Sequence, residues 1–265
     1  MTQPEIERIV KSTVHIVMSD KKLMPVGIGS GCIIDYQNKE ILLTVAHVTD
    51  VDAATCIVTE KDPVNYQSLI YSVGAMNYLA TFDMSKYELQ LAQLKLKHER
   101  NEEVDFGQID FSFATLKHKA DFLQKQINFN EFTIPKGEKL LIKTTLAEVP
   151  VKDKEYGFFG RVKALYLRGT PNADTFETQE VVYGGMKFIR KVGNYYEFEL
   201  PNVINDHADF QGTSGAPIMD GDGKLVSLIT HGYTGGKLIY GIALADFKSG
   251  VDAVLLSDAQ AQTAK

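Results

Sequence analysis

Three short segments hold the residue types needed for nucleophilic acyl transfer. The first begins Gly29-Ser30-Gly31-Cys32-Ile33-Ile34-Asp35 and continues, after a turn, as Ile41-Leu42-Leu43-Thr44-Val45-Ala46-His47-Val48, a strand-like run that ends on an imidazole. The second, Ile109-Asp110-Phe111-Ser112-Phe113-Ala114-Thr115-Leu116, puts a carboxylate immediately before an alternating strand. The third, Gln211-Gly212-Thr213-Ser214-Gly215-Ala216-Pro217, surrounds a serine with small residues, as a tight turn requires. A serine hydroxyl is a poor nucleophile at neutral pH and needs a base to take its proton as it attacks. Each segment alone also has a plainer reading. His47 suits a hydrogen-bonded structural histidine, Asp110 a turn acid that needs partners if buried, and the serine segment an ordinary loop.

The rest of the chain must position these groups, and its pattern is mainly that of short strands. Apolar runs at residues 14–18, 29–35, 40–45, 54–59, 89–97, 110–116, 139–144, 160–166, 195–200, 217–219, 224–230 and 239–244 are bounded by Gly, Asn and Asp turns. Such spacing predicts closed or sandwiched antiparallel β-structure rather than βαβ units. Pro4 followed by Ile6, Ile9 and Val10 predicts a short amphipathic helix at the start. A second helix is expected near residues 246–260, with Val251, Val254 and Leu255 on one face. The charged stretch 95–105 reads as a solvated loop, and Asp220-Gly221-Asp222-Gly223 as a hairpin turn rather than a calcium loop.

Composition narrows the possible chemistry. The 265 residues carry 28 basic and 34 acidic side chains, a net charge of −6 without a Lys/Arg cluster, which argues against a phosphate-tracking nucleic-acid binder. No apolar run approaches the ~18 residues of a membrane helix. Early acids at Glu5 and Glu7 and the lack of an apolar h-region leave no secretory signal, so a cytoplasmic protein is expected. Cys32 and Cys56 are read as reduced, buried thiols, too few for a disulfide framework or a structural zinc site. No metal or other cofactor is expected. His15, His98, His118 and His207 have no motif around them.

Together, in the order His, Asp, Ser, the three segments resemble those of the trypsin-like (chymotrypsin-fold, S1-type) serine peptidases. In that family a strand ending in T-A-A-H, a D-I-A-L-like strand and a G-D/N-S-G-G/A-P turn carry the active site. The wording around Gly29-Ser30-Gly31 and His47-Val48 is similar to the bacterial HtrA/Deg branch, G-S-G-x-I-I…T-x-x-H-V. Ala216-Pro217 and the Thr230 to Gly232 region look more like other branches. The resemblance spans most of the chain and implies an all-β fold of two six-stranded antiparallel barrels in one peptidase unit. The first barrel would cover about residues 10–130 and the second about 131–245, followed by the C-terminal helix. It also implies a stand-alone bacterial-type member without a PDZ module, acting on a protein or peptide substrate and open to control by a regulatory protein partner.

The same resemblance implies the roles. Ser214 would be the nucleophile, His47 its general base, and Asp110 the acid that fixes the imidazole tautomer. Asp105 competes for the acid's place, but the segment from Ile109 to Leu116 reproduces the family's acid-then-strand pattern and the stretch around Asp105 does not. The N–H groups of Gly212 and Ser214 would form the oxyanion hole. Thr230, His231 and Gly232 would lie on the strand that pairs with substrate, with the Thr230 hydroxyl supporting Asp110. Ala208, six residues before the serine, would floor the primary pocket, so the acid that selects Lys or Arg in trypsin is absent. The neighbouring Asp209 would remain within reach of the pocket wall. His231 reads either as a selector for Glu or Gln or as a cleft residue with no selective role. Thr213 replaces the Asp that receives the new amino terminus of activated trypsin, and Arg8-Ile9-Val10 only imitates a zymogen cleavage site.

Overall fold

The computed structural model describes every residue except Leu23, 62–69, 81–95, 97–99, 101–107, Ala120, 171–172, His207, Asp209 and 264–265. The expected strand at 89–97 therefore lies almost wholly outside the described residues, as do Asp105 and His98.

Helix α1 (Gln3–Ser12) opens the chain, its start closed by the Glu5 carboxylate accepting the Thr2 N–H at 2.5 Å. Its apolar stripe buries Ile9 and Val10. Then follow β1 (Thr13–Ser19), β2 (Pro25–Tyr36), β3 (Lys39–Thr44), a single helical turn α2 (Ala46–Thr49), β4 (Ala54–Val58), β5 (Ile70–Ser72), β6 (Asn77–Ala80) and β7 (Gln108–Thr115). They form one sheet in the order β5-β4-β1-β2-β3-β7-β6, and Ile142–Lys143 adds an eighth strand parallel to β2. Where six strands were expected, the described residues give eight: seven from the first half itself and one from the segment joining the two halves, which returns along β2. Gln37 and Asn38, with φ of 52° and 60°, close the β2–β3 hairpin in the left-handed conformation that suits strand twist.

The second half is a closed six-stranded barrel. Its strands are β8 (Glu155–Thr170), β9 (Ala173–Val192), β10 (Tyr195–Glu199), β11 (Pro217–Asp220), β12 (Leu225–Gly232) and β13 (Leu238–Ala243), closed in the order β8-β9-β10-β13-β12-β11. Closure removes the unpaired edges a sheet would otherwise expose. Helix α3 (Leu244–Thr263) then packs Phe247, Val251 and Leu255 into the first half's core beside Phe111. Tyr36 in β2 fixes it by donating to Asp252 Oδ1 at 2.6 Å.

The long β9 was not legible as a strand. Glu180, Lys187, Arg190 and Lys191 interrupt its apolar residues, and its hydrogen bonds come from β8 and β10. The expected strand at 139–144 shrinks to Ile142–Lys143.

Candidate active site

Pairing between β3 and β7 brings the imidazole to the carboxylate. Their register sets Leu43 opposite Phe113 and Thr44 opposite Ser112, so the turn α2 just after β3 lies over the start of β7. His47 therefore sits on a helical turn beyond the strand, not at the strand's end. Its backbone N–H donates to Asp110 Oδ1 at 3.0 Å, and its Nδ1 lies 3.0 Å from Oδ1 and 2.9 Å from Oδ2. A carboxylate only accepts, so Nδ1 carries the proton and the unprotonated Nε2 of the neutral ring is left as a base. Burial pushes the Asp110 carboxyl up, but the ring and backbone hydrogen bonds it accepts from His47, joined by the ring's charge whenever the imidazole is protonated, outweigh it and hold the group below its ordinary range.

The serine comes from the second half. Ser214 lies in the loop before β11, tied to β12 by Gly215 N–H to Ile229 O at 2.8 Å and Ile229 N–H to Ala216 O at 2.9 Å. Gly212 and Gly215 have φ of 107° and 85°, and a Cβ on either would overlap a carbonyl oxygen, that of Arg161 or of Ser30 respectively. Among the described residues, neither the Gly212 nor the Ser214 N–H has a hydrogen-bond acceptor. The Thr213–Ser214 peptide is fixed from its other side, where Ala216 N–H donates to Thr213 O at 2.8 Å. The Ser214 hydroxyl donates to Thr230 O at 3.5 Å, at the outer limit of a hydrogen bond, and no hydrogen bond joins it to His47.

His47, Gly212, Ser214, Thr230, His231 and Gly232 line one cleft of about 880 Å³. Its walls also include Met18, Ile28, Val48, Phe210 and Ile229. Ala208 is not in this lining; its N–H donates to Asp206 Oδ1 at 3.0 Å, and Asp209 lies outside the described residues. Thr230 does not support Asp110. Its single hydroxyl proton goes to Tyr240 O at 2.9 Å, so its 3.0 Å contact with His231 Nδ1 takes the imidazole's proton. His231 is thereby set with Nε2 as the acceptor. Its ring stacks on Tyr240 at 4.8 Å and meets Tyr195 and Tyr233 edge-on. Burial lowers the His231 pKa, against the raising effect of the Asp110 charge.

The residue roles read from sequence omitted Ser30 and the tyrosines around His231. Ser30 reaches across from β2, with its N–H on Ser214 O and its Oγ on Gly212 O, both at 2.8 Å. The Gly-Ser-Gly flanking it was its only signal. Tyr195 and Tyr240 have none, because only the pairing of β10, β13 and β12 assembles them. Among the described residues, no group of three His, Cys, Asp or Glu side chains could hold a metal ion.

No protein-family model and no curated protein matches the sequence. Solved structures do match in three dimensions. A serine endoprotease from Yersinia pestis aligns over 97% of this chain with a TM-score of 0.52 at 14% identity. The chain spans 66% of that protein's length. Human heparin binding protein aligns over 96% of this chain and 94% of its own, with a TM-score of 0.50 at 10% identity. An atomic-resolution structure of HBP gives 0.52 at 11% identity over the same shares. At such identities the likeness speaks for architecture: the chain has the chymotrypsin-like double-barrel fold of the trypsin-type serine proteases.

Proposed function

We propose that this protein is a serine endopeptidase working through His47, Asp110 and Ser214. One observation carries the reading: an imidazole whose Nδ1–H is held by Asp110 shares a cleft with a serine flanked by two unbonded N–H groups. Ser214 Oγ bonds to the scissile carbonyl carbon as its proton passes to His47 Nε2. The Gly212 and Ser214 N–H groups receive the oxyanion, each such donor contributing ~3 to 4 kcal/mol to the transition state. Collapse expels the amine with the proton from His47. Water then attacks the acyl ester by the same route, releasing the acid and restoring the hydroxyl. The cleft lining is mainly apolar, with Met18, Ile28, Val48, Phe210 and Ile229, and includes one carboxylate, Asp52; the reading against a trypsin-like Lys or Arg preference rests on Ala208 standing where the family carries its pocket acid. Two free cysteines fit a reducing compartment. We place the protein in the cytoplasm, restrained by a regulatory protein partner.

A second reading, a trypsin-fold binding scaffold without catalysis, draws on the Ser214 hydroxyl resting on Thr230 O rather than on His47. The fold itself does not decide between them. A fluorophosphonate probe does. The endopeptidase labels on Ser214, located by mass spectrometry, and Ser214→Ala neither labels nor cleaves a peptide library. A folded wild-type chain that takes no label is the scaffold.

A further inference from the structure

We infer that Ser30 is a positioning residue that presets the serine loop from the opposite half of the molecule; as a catalytic claim this rests on the reading of Ser214 as nucleophile. Ser30 is fully buried in β2 and takes hold of the loop on both sides of Ser214. Its Oγ donates to Gly212 O at 2.8 Å, and its N–H donates to Ser214 O at 2.8 Å. It is fixed in turn by Thr44, whose Oγ1 donates to the Ser30 carbonyl at 2.8 Å from the adjacent β3. The same carbonyl occupies the space a Gly215 side chain would need. A peptide unit is planar, so holding the Gly212 carbonyl orients the Gly212–Thr213 plane, and holding the Ser214 carbonyl orients the next plane but one. Between them the Thr213–Ser214 plane is held by Ala216 N–H on Thr213 O. With these planes fixed, the Ser214 N–H keeps its orientation before substrate arrives, which is the condition for preorganised oxyanion stabilisation.

The side-chain half of this clamp can be removed alone, since Ser30→Ala keeps the backbone bond to Ser214 O. Thr13→Val serves as a matched control: it deletes another buried hydroxyl-to-carbonyl bond, Thr13 Oγ1 to Ile9 O at 3.0 Å, away from the cleft. Two readouts apply to the full-length chain. In Ser30→Ala, amide exchange at Thr213, Gly215 and Ala216, each bonded in the folded loop, should accelerate about tenfold relative to wild type and to Thr13→Val. Peptide hydrolysis should lose on the order of 10- to 10²-fold in kcat, with KM within about twofold, as expected when a transition-state contact is misplaced. Ser30→Cys, which keeps the shape with a weaker donor, should fall between and covers the case that the alanine variant does not fold. Unchanged loop exchange and kcat in Ser30→Ala would overturn the inference. Accelerated exchange in a chain whose wild type neither cleaves nor labels would leave the clamp standing and reject the endopeptidase.

Discussion

At the scale of single residues, the site depends on which atom holds each proton. Asp110 receives two N–H groups of His47, one backbone and one ring, so the imidazole is fixed in position and tautomer by one carboxylate. An amide there could turn its NH₂ towards Nδ1 and stabilise the opposite tautomer. Asp110→Asn is therefore expected to cost ~10⁴-fold in kcat while Asp105→Asn stays near wild type. Steady-state kinetics on both variants checks this, and an inactive Asp105→Asn with an active Asp110→Asn would move the acid. The hydroxyl gives up little on leaving Thr230 O, because a 3.5 Å contact is weak. Turning towards Nε2 is thus an inexpensive step before attack. On the proposed mechanism Ser214→Ala and His47→Ala should each abolish hydrolysis with folding retained, since a nucleophile and its base act as a unit. Near-wild-type turnover in either would remove the assignment. Gly212→Val adds a branched side chain at a φ of 107° against the Arg161 carbonyl, and should lose at least the ~10²- to 10³-fold that one oxyanion donor contributes.

Between elements, the seam where β1 meets β8 carries a buried polar cluster outside the lining of the cleft. His15 of β1 is 5% exposed, lies edge-on to Phe159 of β8 at 5.5 Å, and has no hydrogen-bond partner at Nδ1 among the described residues. Arg161 of β8 pairs with buried Glu60 at 2.5 Å, Lys125 approaches Glu60 at 3.2 Å, and Lys139 donates to Val10 O at 3.0 Å. Burial first, then the charges of Arg161, Lys139 and Lys125, hold His15 well below its ordinary 6.5. Between that depressed value and 6.5 the unfolded chain binds a proton that the folded chain does not, so this stability grows with rising pH. It is complete above 6.5 and is lost as pH falls towards the folded-state value. The slope from this one group is at most about 1.4 kcal/mol per pH unit. Denaturant midpoints measured from pH 7 downward should therefore fall less steeply in His15→Phe than in wild type. Equal slopes would show that His15 carries none of the acid sensitivity. In sequence, His15 had no motif and Arg161 read as one residue of a strand. Their meeting depends on how two sheets pack, which no local period encodes.

Over the whole molecule, legibility follows the range of the interactions. The continuous apolar run at Ile41 to Leu43, the alternation at Phe111, and the turn residues of the serine loop were readable because strand pattern and glycine conformation are local properties. Ser30 as a cross-barrel clamp and Thr230 as a partner of Tyr240 and His231 were not, because each is defined by a strand remote in sequence. The same distinction bears on activation. In trypsin a freed amino terminus inserts beside the acid preceding the nucleophile and orders the loop. Here Thr213 is 1% exposed and its hydroxyl is already donated to Phe210 O at 2.9 Å, so position 213 itself offers no carboxylate to an ammonium. An unpaired buried ammonium would cost several kcal/mol, while Ser30 supplies order from the other barrel. Ile9 and Val10, which would form the new terminus after a cut at Arg8, are fully buried in α1 and packed in the first core. Cleavage would also remove Arg8 from its 2.6 Å bond to Gly221 O. Chains beginning at Met1 and at Ile9, their termini verified by mass spectrometry, should therefore differ in one direction. The Ile9 form should have the lower unfolding temperature and a kcat/KM no higher than that of the longer chain. Activity confined to the Ile9 form would mean that the loop is ordered by an inserted terminus after all, and that the clamp from β2 is not what presets it.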